Sequence, residues 1–478
     1  MHTQFSTFSS LGLSEATLQA IGKRGFETPT AIQSAAIPLL LASGKDLVGQ
    51  AQTGTGKTAA FGIPLLETIS LKGKHPQAVI LVPTRELAVQ TVQELNSLQE
   101  KHRLNILPVY GGQPIHGQIK ALQKGIHILV GTPGRVLDHL NRGTLRTDNV
   151  SHVVLDEADE MLNRGFIEDI ELILNDMPKE RRTFLFSATM PKRILHLAGN
   201  YMGERDEISI SQNVGDAHLT DQSAIVVHEQ DKLEALTRLI DIHPEFYGLI
   251  FCRTKADTDR VAAALQAKGY AAEALHGDIS QSQREAILKN FRDRNTAALV
   301  ATDVASRGLD ISDLTHVINY ALPQDTDSYL HRIGRTGRAG KKGTAVSLVT
   351  PSEARKLSYY QHVLKLPIQH TKVPQISGVI AAKRETMQAN IHKILQEQRH
   401  LKFLDIASSL AQQGDPVDII ASLLAHTSQD SLIASSYREI RHASGDSKHR
   451  GKKNNNRRYF AEKRKYHGKR TRRSKNSS

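Results

Sequence analysis

Apolar and polar positions fall in blocks along the first 350 or so residues of this 478-residue chain. Short apolar runs stand at Asp46–Val48, Ala78–Val82, His127–Val130, His152–Leu155 and Thr183–Phe186. Continuous runs of this kind are expected of strands buried on both faces of a parallel sheet. Longer stretches of helical period separate them, as in Glu86–Gln99, where Leu87, Val89, Val92, Leu95 and Leu98 share one face. The alternation restarts with Ala224–Val227, Leu249–Cys252, Ala298–Ala301, His316–Asn319 and Ala345–Val349. The pattern predicts two doubly wound α/β domains, 1–205 and 221–370, joined by a polar linker at 206–220.

Past about residue 370 the period becomes purely helical. Met387, Ile391, Ile394 and Leu395 form one stripe, and Val417, Ile420, Ala421 and Leu424 form another. Between them, Gly414, Asp415 and Pro416 read as a helix stop, an N-cap and a first-turn proline. A helical extension is therefore expected over 371–436. Its stripes at 380–426 suit either a homodimer or packing on the second domain.

Charge changes the picture at the C-terminus. Residues 437–478 hold 16 Lys and Arg against 3 Asp and Glu, so the whole net charge of +13 sits there and residues 1–436 are balanced. Such a composition predicts a disordered basic tail that binds RNA. Tyr437, Tyr459, Phe460 and Tyr466 are scattered through it as aromatics for base stacking. Elsewhere the composition is that of an ordinary globular chain. No apolar run approaches the roughly 18–20 residues of a membrane span. Met1–Phe5 shows no basic or apolar region of a secretory signal. Cys252 is the one cysteine, which fits a reducing compartment. The expected location is the cytoplasm, away from membranes.

Two motifs carry chemistry by themselves. Ala51-Gln52-Thr53-Gly54-Thr55-Gly56-Lys57-Thr58 follows an expected strand and opens an expected helix, as a phosphate loop must. Gly54 and Gly56 allow the backbone to turn its amides toward phosphate oxygens, and the helix N-terminus adds partial positive charge. Lys57 would reach the β- and γ-phosphates of a nucleotide, and the Thr58 hydroxyl would ligate magnesium. About 100 residues on, Asp156-Glu157-Ala158-Asp159 follows the strand His152–Leu155. Asp156 is placed to hold the metal, and Glu157 to orient and partly deprotonate an attacking water.

Asp-Glu-Ala-Asp is the signature of the DEAD-box RNA helicases, and the chain resembles that family over roughly residues 5–350. The resemblance implies two tandem RecA-like domains, ATP and Mg2+ as cofactors, and RNA as partner. Phe8 and Gly25–Gln33 look like its adenine-reading motif, with Gln33 on the base edge and Phe26 against the ring. Both uses suit these side chains, since one amide offers a donor and an acceptor. Core packing is the other reading of Phe8 and Phe26, and it fits Phe8 equally well. His331–Arg338 resembles its last motif, in which Arg335 and Arg338 would be arginine fingers, and Asp310 matches a ribose contact. Thr84, Arg85, Gly112, Thr132, Pro133, Gly134 and Arg135 match RNA-facing positions of the first domain. Arg253, Thr254, Gln281, Arg284 and Thr302 match those of the second. These residue types suit phosphate and ribose contacts, which position a strand without reading its sequence. Asp159, Ser187, Thr189, Arg307 and His331 match positions that couple the ATP site to RNA. For Ser187 and Thr189 an ordinary strand-to-helix cap fits the residue types equally well.

The chain has no Asn-Lys-x-Asp motif of a GTPase. A DNA translocase is disfavoured by Gln33 and its surroundings. A non-enzymatic RNA chaperone would need only the basic tail and would leave Lys57, Glu157, Arg335 and Arg338 without a use. The helical extension followed by a basic tail is similar to the bacterial cold-shock and ribosome-assembly group of the family. That likeness implies work on ribosomal-subunit precursors, in RNA decay or in cold adaptation.

Overall fold

The structure is a computed structural model and describes residues 7–440, apart from 53, 100–103, 211–219, 307–313, 338–341 and 429–431. Its first half holds seven strands: β1 (Asp46–Gln50), β2 (Ala78–Leu81), β3 (Ile106–Val109), β4 (Ile128–Gly131), β5 (His152–Leu155), β6 (Arg182–Ser187) and β7 (Arg205–Ser209). All are parallel, in the order β3-β4-β2-β5-β6-β1-β7. The second half holds β8 (Thr220–Val226), β9 (Gly248–Cys252), β10 (Ala272–Leu275), β11 (Ala298–Thr302), β12 (His316–Asn319), β13 (Gly343–Val349) and β14 (Ile368–Thr371). Their order, β10-β11-β9-β12-β13-β8-β14, repeats that of the first sheet strand for strand.

Apolar clusters cover both faces of each sheet. Phe61, Phe184 and Phe186 lie on one side of the first and Val153, Met161 and Leu185 on the other. Tyr329 and Tyr360 lie on one side of the second, Ile250 and Cys252 on the opposite side. This two-sided burial explains why the central strands are unbroken apolar runs. Burial also pushes the Cys252 thiol up to about 12, so it packs as a small apolar group.

Two expected boundaries move. Residues 206–209 are not linker: they belong to β7, which pairs with β1 from Asp46↔Arg205 to Gln50↔Ser209. An edge strand of this kind buries little, so Arg205, Asp206 and Glu207 read as polar loop in the sequence. The expected disordered tail, 437–478, also starts too early, because Tyr437–Ile440 lies against the second domain. The rest of the tail, 441–478, lies outside the described residues.

The helical extension comprises Ile376–Gln396, Leu404–Ala411 and Pro416–Ser428. Asp415 caps the last of these by accepting from the Val417 amide at 2.7 Å, as the Gly-Asp-Pro sequence implies. The first helix packs on the second domain through Val379, which is fully buried, and through a Lys383–Asp241 ion pair of 3.0 Å. Ile391 and Leu395 later in that helix, and Phe403, Ile406, Val417 and Ile420 beyond it, are exposed. Packing on the second domain thus falls N-terminal to the stripes, at Val379 and Lys383, whereas Ile391, Ile394 and Leu395 of the first stripe and Val417 and Ile420 of the second present an uncovered apolar surface.

Candidate functional site

Strand order places the chemistry. β5, β6 and β1 are neighbours, so the segments leaving their C-terminal ends meet at one edge, where ligands of open parallel sheets bind. These segments are Ala51–Thr58 after β1, Asp156–Asp159 after β5 and Ser187–Thr189 after β6. β3, β4 and β2 form the adjoining half of the sheet. Their ends carry Gly111–Gly112, Thr132–Arg135 and Thr84–Arg85. One edge therefore presents the nucleotide motifs and the strand-binding motifs side by side.

In the phosphate loop Gly54 and Gly56 both have φ of +85°, a conformation that glycine adopts freely. A Cβ at Gly56 would overlap the Gln33 amide. Gln33 accepts from the Thr30 amide at 2.9 Å and donates to the Gly56 carbonyl at 3.1 Å. It closes a capping box with Thr30 at the start of helix Ala31–Ala42. The residue matched to adenine reading is thus held against the phosphate loop. Phe26 is half-buried and stacks 6.5 Å from Phe8. Phe8 itself is buried among Leu11, Ile21 and Ile63, in a small core of its own.

Lys57 is buried at the first position of helix Lys57–Thr68 and donates to the Ala51 carbonyl at 3.0 Å. Asp156 is 2% exposed. Burial pushes its carboxyl up to about 7, with Lys57 opposing and Glu157 adding to the rise. Glu157 adopts a left-handed backbone, φ 53° and ψ 50°, at the N-cap of helix Ala158–Asn163. Non-glycine residues rarely occupy this region, and such strain is concentrated at functional sites. The buried Asp156 carboxyl and the Thr58 hydroxyl are hard-oxygen donors of the kind suited to Mg2+, which takes one or two protein ligands and completes its shell with phosphate and water. Among the described residues no cluster of three or more His, Cys, Asp or Glu forms a self-sufficient metal cage.

Three of the coupling candidates, Asp159, Ser187 and Thr189, form one network. The Asp159 carboxylate accepts from the Thr189 amide at 2.8 Å and from its hydroxyl at 3.0 Å. Ser187 donates to the Thr189 carbonyl at 2.7 Å and accepts from the Asp159 amide at 3.2 Å. The pKa of Asp327, on helix Thr326–Ile333 of the second domain, is raised by burial and then by Asp325, with His331 on the same helix opposing the rise and Asp159 adding to it.

A cleft of about 610 Å³ opens between the two domains. Thr84, Arg85, Thr132, Gly134 and Arg135 line it from one side, and Gln281 and Arg284 from the other. Arg85 donates to Gln281 at 3.1 Å, and Arg284 pairs with Glu86. Gly112, at φ +81°, gives Arg85 room, since a Cβ there would overlap the guanidinium. Arg135 donates to the Gln113 carbonyl at 3.3 Å and so ties the Gly111–Gly112 turn to helix Pro133–Asn141.

Other expected residues stand elsewhere. Arg253 pairs with Glu353 at 2.9 Å in a separate recess of about 380 Å³ that Lys232, Thr350 and Ser352 also line. Thr254 caps helix Lys255–Ala267. Thr302 is buried at the end of β11. Gly112 and Pro133 support the cleft without lining it. Arg335 is buried after helix Thr326–Ile333. Thr53, Arg307, Asp310 and Arg338 lie outside the described residues.

The structure also adds residues. Glu86 supplies the cross-cleft ion pair, and Phe166, Arg164, His276, Gly277 and Ile279 line the cleft. Phe166 is an aromatic that the spacing of the motifs did not place there. His276-Gly277 follows β10 as Gly111-Gly112 follows β3, so the repeated topology was the signal that could have found it. Arg332 is a structural clamp: it grips Asp303 with two nitrogens, at 2.5 and 2.7 Å, and donates to Asn319 and the Ala321 carbonyl.

Two tandem nucleotide-type sheets with a cleft between them define a class of enzyme, and comparison with known proteins gives its family. The model of the DEAD/DEAH box helicase family matches residues 30–197, and that of the helicase conserved C-terminal domain matches 231–340. The chain is 46% identical over 419 residues to the DEAD-box ATP-dependent RNA helicase CshA of Geobacillus kaustophilus, covering 88% of this chain and 90% of that one. Over 417 residues it is 46% identical to the ATP-dependent RNA helicase CshA of Listeria monocytogenes, covering 87% and 80%. Its fold is similar to that of S. cerevisiae Dbp5 bound to RNA and ADP BeF3, with a TM-score of 0.70 and 29% identity over 79% of this chain and all of that one. The chain belongs to the DEAD-box ATP-dependent RNA helicases, enzymes that hydrolyse ATP when RNA is bound. Among the described residues no helix is long and apolar enough to cross a membrane.

Proposed function

We propose that the chain separates short RNA duplexes, or strips protein from RNA, by closing its two domains on ATP and on one RNA strand. The observation that carries this reading is the shared cleft, where Arg85–Gln281 and Glu86–Arg284 join the domains beside the nucleotide edge. A strand seated there requires the domains to be together, and so does hydrolysis if Arg335 and Arg338 complete a site built on Lys57.

In this reading Lys57 anchors the β- and γ-phosphates, and Glu157 orients the water. Gln33 and Phe26 select adenine, while the amides of Ala51–Thr58 cradle the phosphates and Asp310 touches the ribose. Thr58 and Asp156 would hold Mg2+, which supplies charge to offset that of the phosphates. Its positive charge would also return the Asp156 carboxyl to the ionised form. Arg335 and Arg338 stabilise charge on the transferring phosphoryl group. Thr84, Arg85, Gly112, Thr132–Arg135, Gln281, Arg284 and Thr302 hold the sugar-phosphate backbone, with Arg253 and Thr254 in the adjoining recess. Asp159, Ser187, Thr189, Arg307 and His331 transmit closure between the two ligands.

The tail beyond Ile440 anchors RNA through its cations, without a part in hydrolysis. The uncovered face of the extension joins two copies of the chain. The setting is the cytoplasm and the cargo ribosomal-subunit precursors or messenger RNA under decay, in keeping with the cold-shock and ribosome-assembly group that the chain resembles. The domain limits that suit these roles are 1–210, 220–371 and 376–436.

The site assignments are tested by two substitutions. Lys57→Ala should abolish both ATP binding and turnover. Glu157→Gln should bind ATP normally and lose turnover by at least about 100-fold, the scale of a general base. Equilibrium binding and single-turnover hydrolysis separate the two, and wild-type turnover by Glu157→Gln would overturn the assignment.

A further inference from the structure

One carboxylate ties together three separate parts of the second half of the chain. Asp241 closes helix Lys232–Asp241 and has a side chain only 4% exposed. One of its oxygens accepts from the Tyr270 hydroxyl at 2.8 Å. The other meets Lys383, from the start of the extension, at 3.0 Å, and the Tyr437 hydroxyl, from its end, also at 3.0 Å. Lys383 also sits 5.6 Å over the Tyr437 ring. The helical extension therefore leaves and rejoins the second domain at one point.

The next residue makes the return firm. Arg438 pairs with Asp231, whose side chain is 6% exposed, and donates to the Gln230 carbonyl at 2.7 Å. Its amide donates to Glu234 at 3.1 Å, and its carbonyl accepts from Arg238. Ile440 packs beside Val373 on the apolar cluster that contains Leu236 and Ile250. A free tail has no reason to bring an ion pair, a half-buried phenol and a half-buried isoleucine together on one surface. Each of these contacts must offset the entropy of ordering the residues that make it.

The place of docking matters. Gln230 and Asp231, which Arg438 grips, stand between Glu229 and Lys232, and both of these line the recess that contains Arg253. The chain beyond Ile440 carries 15 of the tail's 16 cations. It thus sets out from beside that recess and not from the far end of the exposed helices.

We propose that Tyr437–Ile440 is a latch that fixes the origin of the basic tail on the second domain, so that its cations engage the RNA strand that this domain holds. The proposal rests on the tail's role as an RNA anchor. Binding energy from a tethered group depends on its effective concentration, which falls steeply once the tether lengthens or its origin moves away. Unlatched, the tail would start from the end of helix Pro416–Ser428.

The test uses the full chain. Arg438→Glu breaks the latch, and Arg441→Glu makes the same change of charge outside it. RNA-stimulated ATP turnover gives the RNA concentration for half-stimulation, and hydrogen exchange of 434–440 reports the latch itself. Arg438→Glu should raise the half-stimulating concentration roughly 3–10-fold more than Arg441→Glu does, with saturated turnover unchanged and faster exchange at 434–440. The double change Asp231→Arg with Arg438→Glu should restore both readings. Equal effects of Arg438→Glu and Arg441→Glu on the RNA requirement, with exchange showing the segment released, would overturn the latch. A chain ending at Ile440 separates this from the underlying reading: if it needs no more RNA than the full chain, the tail does not anchor RNA at all.

Discussion

His316 shows how far a single side chain is set by its surroundings. It is buried at the start of β12, 5.1 Å from Phe246 and 4.4 Å from His243. Burial, and then His243, lower its pKa from 6.5 to about 4. In the unfolded chain it takes a proton near pH 6.5, whereas in the fold it stays neutral down to about 4. The unfolded state then binds more protons between those values, so stability is full above pH 6.5 and declines as pH falls toward 4. The loss amounts to about 3 kcal/mol at its limit. His316→Phe, which keeps the stack on Phe246, should remove most of this decline. Hydrogen exchange of β12 at pH 7 and pH 5 measures it; an unchanged pH dependence in the variant would show that other groups cause the acid sensitivity. The placement of Lys57, Asp156 and Glu157 belongs to the same scale and was legible in the sequence, because each motif follows an apolar run that forms a central strand. The left-handed backbone of Glu157 was not legible, since nothing in the residue type asks for it.

At the scale of elements, ten strands were evident as apolar runs and four were not: β3, β7, β10 and β14. These four are the edges of the two sheets. An edge strand is buried on fewer sides, so its sequence need not be an unbroken run of strand-forming apolar residues: Gln369, His370 and Thr371 of β14 are all exposed, and Pro108 interrupts β3. Missing β10 also concealed His276-Gly277. The Glu86–Arg284 pair was hidden for another reason: its partners are 198 residues apart, and only the meeting of two domains brings them together. Their side chains are 19% and 12% exposed, so removing one partner leaves the other charge poorly solvated and costs more than breaking a surface pair. Glu86→Ala should lower RNA-stimulated turnover by roughly tenfold, while ATP affinity stays as it was. Exchanging the two charges in one chain should recover part of the loss. Equal turnover in Glu86→Ala and the wild type would mean that the pair does not hold the closed arrangement.

The whole molecule is two copies of one topology followed by an extension whose outer part stays uncovered. Ile406 and Ile420 are 63% and 56% exposed there, a costly arrangement for a chain that remains single. Changing both to Glu should convert a dimer to a monomer, which light scattering at micromolar concentration would detect as a halved mass. The same mass in variant and wild type would exclude assembly through this face. Closure itself is the central claim, since in the proposed reading Arg335 and Arg338 of the second domain complete the site on the first. The most direct measurement is ATP turnover by the full chain, with and without single-stranded RNA, beside the variant Arg335→Ala. RNA should stimulate the wild type strongly, and the variant should fall by roughly 1000-fold, the lower end of what an arginine finger supplies. Turnover indifferent to RNA, or an Arg335→Ala chain that hydrolyses ATP like the wild type, would contradict the account.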